Sequence, residues 1–140
     1  MNFPEFERSA ERRGGDETIL VVEDEDPVRE VTACLLKFLG YKVLQASGAE
    51  EALNLVRGNG SKIDILLTDV VMPAMSGLKL AEAFLAVKPS TKVLFQSGHT
   101  EDTVIQNGIW PAEVAFLQKP FTMNGLAKKI RFLLDRRSGA

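Results

Sequence analysis

The run ILVVED, Ile19 to Asp24, sets four consecutive apolar residues before two carboxylates. A short unbroken apolar run rich in branched side chains suits a strand covered by helices on both faces, since a strand with one wet face would alternate. Similar runs follow at Tyr41 to Ala46 (YKVLQA), Ile65 to Leu67 (ILL), Lys92 to Phe95 (KVLF) and Val114 to Leu117 (VAFL). Between them, apolar residues recur at helical spacing: Val28, Val31, Leu35 and Phe38; then Ala49, Ala52, Leu53 and Val56; and later Leu126, Ile130, Leu133 and Leu134. Each set predicts a helix with one buried face. Strands alternating with helices predict an α/β domain on a parallel sheet of five strands.

The punctuation agrees with that pattern. Asp26 is expected as an N-cap with Pro27 at the first helical position, and Gly40, Gly58 and Gly60 fall where helices should end. Thr100 to Asn107 has only Val104 and Ile105 as anchors, which predicts a short, weakly held helix. The first seventeen residues, MNFPEFERSAERRGGDE, are charge-rich and close on a Gly-Gly pair before the first apolar run. They read as a tail or linker, leaving a domain at 18–137 and a short tail at 138–140.

Composition narrows the classes. A chain of 140 residues, 45% hydrophobic, supports one compact domain with a proper core. Seventeen basic against nineteen acidic residues give a net charge of -2, so no global field points toward nucleic acid or anionic lipid. Cys34 stands alone, which excludes an internal disulfide and offers no metal-binding cluster; its place in an apolar helical pattern predicts a core position. No apolar run approaches a membrane span, and the start lacks a signal-peptide layout, so the expectation is a soluble cytoplasmic chain without membrane contact.

Polar residues close the apolar runs: Glu23 and Asp24 after the first, Asp69 after ILLT, Ser97 after KVLFQ and Lys119 after VAFLQ. Singly, each is more often a helix cap or a solvated turn residue. In an open parallel sheet, however, the carboxyl ends of the strands share one edge, and ligands bind there. Three crowded carboxylates repel one another unless a cation sits among them. Mg2+ takes hard oxygen ligands and typically one or two carboxylates plus phosphate oxygens. Lys119 then supplies a second, mobile point charge for an anion at the metal. Such parts suit phosphoryl transfer, which needs positioning and electrostatic stabilisation. In that chemistry Asp69 is the nucleophile that forms an aspartyl phosphate, Asp24 and Glu23 hold the metal, and Ser97 and Lys119 donate to phosphoryl oxygens.

At these residues the sequence resembles the response-regulator receiver domain, the module that accepts phosphate from a histidine kinase. The likeness covers roughly Glu17 to Arg137 and rests on VVEDE, LLTDVVMPAMSGL, VLFQSGH and FLQKPF. Spacings of 45 residues from Asp24 to Asp69, 28 from Asp69 to Ser97 and 22 from Ser97 to Lys119 agree with it. The resemblance implies a flavodoxin-like, doubly wound sheet in the order 2-1-3-4-5 with five helices. It implies that Asp24 and Asp69 bind Mg2+ directly, that the backbone carbonyl of Val71 is a further ligand, and that Glu23 acts through metal-bound water. Lys119-Pro120 resembles the family's cis peptide.

Further expectations follow from the resemblance. Ser97 and Phe116 hold the positions of the family's switch pair, which changes the face formed by the fourth helix, fifth strand and fifth helix. Phe116 lacks the hydroxyl of the common tyrosine, and a plain core role is its bland alternative. The wording is closest to receivers at the carboxyl end of hybrid sensor histidine kinases, and a complete single-domain regulator fits the sequence equally. The implied partner is therefore a histidine kinase or histidine phosphotransfer protein, or the kinase part of the same parent chain, with weak homodimers formed as receivers often do. His99, the only histidine, reads as a solvated loop residue, and Trp110 as local core or an anchor for a partner. Lys128, Lys129, Arg131, Arg136 and Arg137 read as a solvated basic helix face. Two rivals stand beside this reading. A pseudo-receiver would bind partners without phosphorylation, yet none of its usual losses is present. An Asp-nucleophile phosphohydrolase would need an acid or base at the position that Val71 occupies.

Overall fold

The computed structural model describes residues 15–59, 62–97 and 114–135. In chain order the elements are β1 (Thr18–Val22), α1 (Asp26–Phe38), β2 (Lys42–Ala46), α2 (Ala49–Asn59), β3 (Ile65–Asp69), α3 (Gly77–Val87), β4 (Lys92–Ser97), β5 (Val114–Gln118) and α4 (Met123–Asp135). The five strands are parallel and ordered β2-β1-β3-β4-β5, as expected. Four helices are present among the described residues; the helix expected at Thr100–Asn107 lies outside them, as do His99, Trp110, Arg136 and Arg137. No described helix is long and apolar enough to cross a membrane.

Continuous apolar strands make sense here because both faces of the sheet are covered. Ile19, Val21, Ile65, Leu67, Leu94 and Leu117 pack against Leu36 and Leu39 of the α1 side and Leu126, Ile130 and Leu133 of α4. Leu20, Val22, Leu66, Val93 and Phe95 alternate to the other face, against Ala52, Leu53 and Val56 of α2 and Leu80 and Phe84 of α3. Each fully buried branched side chain contributes about 1.5–3 kcal/mol. Polar contacts then close the edge of the sheet where the strands begin. The Lys92 ammonium, buried at the start of β4, donates to the Leu133 carbonyl at 2.6 Å and so satisfies one of the open carbonyls at the end of α4. Glu17, placed in the tail by sequence, accepts two bonds from Arg131 at 3.0 and 3.1 Å, and its carbonyl accepts from the Lys42 N–H at 3.0 Å.

Several local expectations are corrected. The N-cap of α1 is Glu25, not Asp26, whose carboxylate instead pairs with Arg29 at 2.7 Å within the first turn. Pro27 still lies in that turn, where its missing N–H costs nothing. The buried face of α1 is Thr32, Ala33 and Leu36, while Val31 and Phe38 are 61% and 58% exposed and Cys34 is exposed rather than core. Small residues at 32 and 33 let the helix seat closely on the sheet, and apolar content alone did not distinguish that face from the stripe beside it. Gly58 falls in the last turn of α2, which ends at Asn59 close to where the sequence placed its end, and Gly60 lies outside the described residues; Gly40 closes α1 with a φ of 99°, the left-handed conformation glycine tolerates. Arg131 is half-buried and paired with Glu17 and Asp135 rather than solvated.

Urea unfolding of two α1 variants tests this orientation. Leu36→Ala is expected to cost about 2–4 kcal/mol as a core truncation, and Phe38→Ser less than about 0.5 kcal/mol as a surface change. Equal costs would mean that the helix is rotated from the face described.

Candidate functional site

The strand carboxyl ends bring Glu23, Asp24, Asp69 and Lys119 together. β1 delivers Glu23 into a buried position, 2% exposed, while Asp24, one residue on, is exposed. The Glu23 chain is fixed from three sides. Its N–H donates to the Ala46 carbonyl at 3.1 Å, its carbonyl accepts from the Arg29 guanidinium at 2.9 Å, and its Oε2 accepts from the Glu25 N–H at 3.2 Å. β3 ends on Asp69, 7% exposed.

The segment after Asp69 is anchored tightly to it. The Val70 N–H donates to the Gln96 carbonyl at 3.1 Å, and the Val70 carbonyl accepts from the Gly77 N–H at 2.8 Å. A Cβ on Gly77 would run into the Asp69 carbonyl, so the start of α3 approaches the site as closely as only glycine allows. Ser76 caps α3, its hydroxyl accepting from the Lys79 N–H. Met72, Pro73 and Ala74 line a shallow cleft of about 290 Å³ together with Asp24, Ser47 and Glu50. That explains the MPAMSG segment in part: it returns the chain from β3 to a helix beside the carboxylates.

Lys119 follows β5 and is joined to Pro120 by a cis peptide bond. Its ammonium lies 2.7 Å from Asp69 Oδ1 and 3.2 Å from Glu23 Oε1, joining the ends of strands β1, β3 and β5. Carboxylate oxygens of Glu23, Asp24 and Asp69 lie within 4.8 Å of one another. Three negative charges around one ammonium leave an excess that a hard divalent cation would balance, and an all-oxygen donor set is the kind Mg2+ takes.

The electrostatics show the same tension. Burial pushes the Asp69 carboxyl up, the neighbouring Glu23 raises it further, and Lys119 opposes both; the result is about 7 against an ordinary 3.8. Burial also pushes Glu23 up, but the hydrogen bonds from Asp69 and the Glu25 N–H and the Lys119 charge outweigh it and hold Glu23 below its usual range. Without a metal, below about pH 7 the pair holds one proton, mainly on Asp69. Burial lowers Lys119, yet Asp69 and Glu23 more than compensate and raise it.

Of the remaining candidates, Phe116 is half-buried and its ring stacks on Phe95 with centroids 5.4 Å apart. Ser97 closes β4 beside Gln118 in register, on the same sheet edge. Val71, two residues after Asp69, is 54% exposed. Sequence reasoning missed Arg29, which fixes the Glu23 backbone and carried no signal beyond its place in the first turn of a helix, and Gln96, which stands between the apolar run KVLF and Ser97.

Residues 19–131 match the family model described as "Response regulator receiver domain". The chain is 38% identical over 122 residues to the sensor kinase CckA of Brucella abortus, covering 87% of this chain and 13% of the kinase, so it spans a small part of that relative. It is 29% identical over 116 residues to the response regulator receiver protein CpdR of the same organism, covering 83% of this chain and 95% of that protein. Among solved structures, the receiver domain from the hybrid histidine kinase CckA superposes with a TM-score of 0.71 at 38% identity, covering 84% of this chain and 98% of that one.

The raised Asp69 carboxyl has a consequence for stability. Because its folded value of about 7 exceeds its ordinary 3.8, the folded chain holds an extra proton between those values, and stability falls as pH rises through that window. Asp69→Asn removes the penalty. Without metal, the variant is expected to match the parent chain at pH 4 and to exceed it by about 1–2 kcal/mol at pH 8 in urea unfolding. A difference independent of pH would contradict the burial described.

Proposed function

The chain belongs to the response-regulator receiver family, and from that premise we propose that Asp69 accepts a phosphoryl group from the phosphohistidine of a histidine kinase or a histidine phosphotransfer protein. The observation that carries this is the position of Asp69: buried at the end of β3, 2.7 Å from the Lys119 ammonium, in a cluster with two further carboxylates. An Asp69 oxygen attacks phosphorus, the bond from phosphorus to the donor imidazole nitrogen breaks, and that nitrogen keeps the electron pair and takes a proton. Lys119, already aimed at Asp69, donates to an incoming phosphoryl oxygen. Asp24 and Asp69, with the backbone carbonyl of Val71, would hold Mg2+ directly and Glu23 would act through metal-bound water; the cation would supply positive charge against the phosphoryl oxygens. Deprotonated Asp69 is the competent nucleophile, so the same cation favours the form that reacts.

Ser97 is proposed to donate its hydroxyl to the phosphoryl group and Phe116 to follow it, changing the surface around β5 and α4. Phosphorylation then biases an existing equilibrium, because added charge favours only the arrangement that satisfies it. The domain is proposed to run over residues 18–137, with 1–17 as linker, and to work in the cytoplasm as a signalling module that catalyses only its own phosphorylation and dephosphorylation. Its donor is a separate phosphohistidine protein or the kinase part of the same parent chain. Weak pairing of two copies belongs to the same proposal.

Intact mass after incubation with acetyl phosphate tests the acceptor. The expected result is a gain of one phosphoryl group that needs Mg2+ and is absent from Asp69→Asn. No gain in a folded parent chain that binds Mg2+ would overturn it.

A further inference from the structure

Gln96 is 1% exposed, and neither its Oε1 nor its Nε2 has a hydrogen-bond partner. A buried carboxamide with both ends empty is uncommon, since each end gives up bonds to water without replacement. Its place in the sheet makes this informative. Along β4, Val93 and Phe95 face the α2 and α3 side and Leu94 the α1 and α4 side, so alternation puts Gln96 on the face of α1 and α4. In register it stands beside Asp69 of β3 on one side and Leu117 of β5 on the other. Asp69 follows Leu67 by two residues and Lys119 follows Leu117 by two, which brings both to that face. Because β4 lies between β3 and β5, the Asp69–Lys119 bridge of 2.7 Å passes over the end of β4, where Gln96 is the last residue on that face.

We propose that Gln96 is a positioning residue for Lys119: its carboxamide oxygen takes an N–H of the Lys119 ammonium once Asp69 is phosphorylated. This rests on Asp69 being the acceptor, as proposed above. In the resting chain the ammonium is committed to Asp69 Oδ1 and Glu23 Oε1. Phosphorylation converts one Asp69 oxygen into the bridging oxygen of an acyl phosphate and removes the carboxylate charge, so the ammonium turns toward the phosphoryl oxygens. An ammonium has three donors and no acceptor; with one on a phosphoryl oxygen and one on Glu23 Oε1, the third needs an oxygen in this half-buried place. Among the described residues, Gln96 Oε1 is the buried side-chain acceptor left without a bond.

The consequence is kinetic. Hydrolysis forms a bond from a water oxygen to phosphorus, breaks the bond from phosphorus to the Asp69 oxygen, and returns a carboxylate and inorganic phosphate. Formation and hydrolysis both pass through a transition state with charge on the equatorial phosphoryl oxygens, which Lys119 faces. A lysine anchored by Gln96 stays aligned with those oxygens; an unanchored one does not.

Gln96→Met keeps the shape and removes the acceptor, and Gln96→Leu serves as a second variant. Both are expected to be at least as stable as the parent chain without metal, because an unpartnered amide has gone. With acetyl phosphate and Mg2+, followed by intact mass, both gain and loss of the phosphoryl group are expected to slow about three- to tenfold, less than for loss of a direct donor to the transition state. The nitrogen resonance of the Lys119 ammonium is expected to move on phosphorylation in the parent chain and to move differently in the variants. Rates within twofold of the parent, or altered rates with an identical Lys119 response, would overturn the role of Gln96. If the parent chain itself gains no phosphoryl group, it is the acceptor role of Asp69 that fails, and the role of Gln96 falls with it.

Discussion

Glu23 and Asp69 are carboxylates buried side by side, and among the described residues Lys119 is the ammonium that reaches both. Two such groups cannot both ionise in a partly dry site at low cost, and an ion pair in that setting repays its desolvation only with good geometry. Much of the structure serves that geometry. β1 and β3 are neighbours, so their ends set the two carboxylates together; β5 stands two strands from β3, so Lys119 must reach across β4. The Arg29 bond to the Glu23 carbonyl, the close approach of Gly77 to Asp69 and the cis peptide after Lys119 all act within a residue or two of the three charges.

The protein thereby holds a site that is unbalanced until something binds. One ammonium against three carboxylates leaves room for added positive charge, and the proton shared by Asp69 and Glu23 fills part of that need. A divalent cation would displace the proton and leave Asp69 as the nucleophile. The phosphoryl group would then bring its own negative charge to a place where Lys119 and the metal already wait, which is how the same charges serve rest and reaction. Helices on both faces keep the sheet edge stiff enough for these distances to hold, since Val21, Leu67 and Leu94 beneath the edge are fully buried.

The sheet and the acidic edge were legible in the sequence because strands buried on both faces leave unbroken apolar runs, and those runs stop where the polar residues begin. Glu23, Asp24, Asp69 and Lys119 were recognised by that position and by their spacing. The face of α1 was not: Val31, Cys34 and Phe38 form an apolar stripe as regular as a core face, while the true core contacts include Thr32 and Ala33, whose small size matters more than their hydropathy. Glu25 as N-cap was hidden because Asp26 has the better capping chemistry but spends it on Arg29. The empty carboxamide of Gln96 could not be foreseen, since whether a buried amide finds a partner depends on strands brought together from distant parts of the chain.

The central claim is that Asp69 keeps a proton near neutrality until a cation displaces it. Carbon-13 NMR of the Asp69 side-chain carboxyl, titrated with and without Mg2+, measures this directly. The account predicts a midpoint near 7 without metal and a clear fall when Mg2+ is added. A midpoint in the ordinary carboxylate range under both conditions would contradict it.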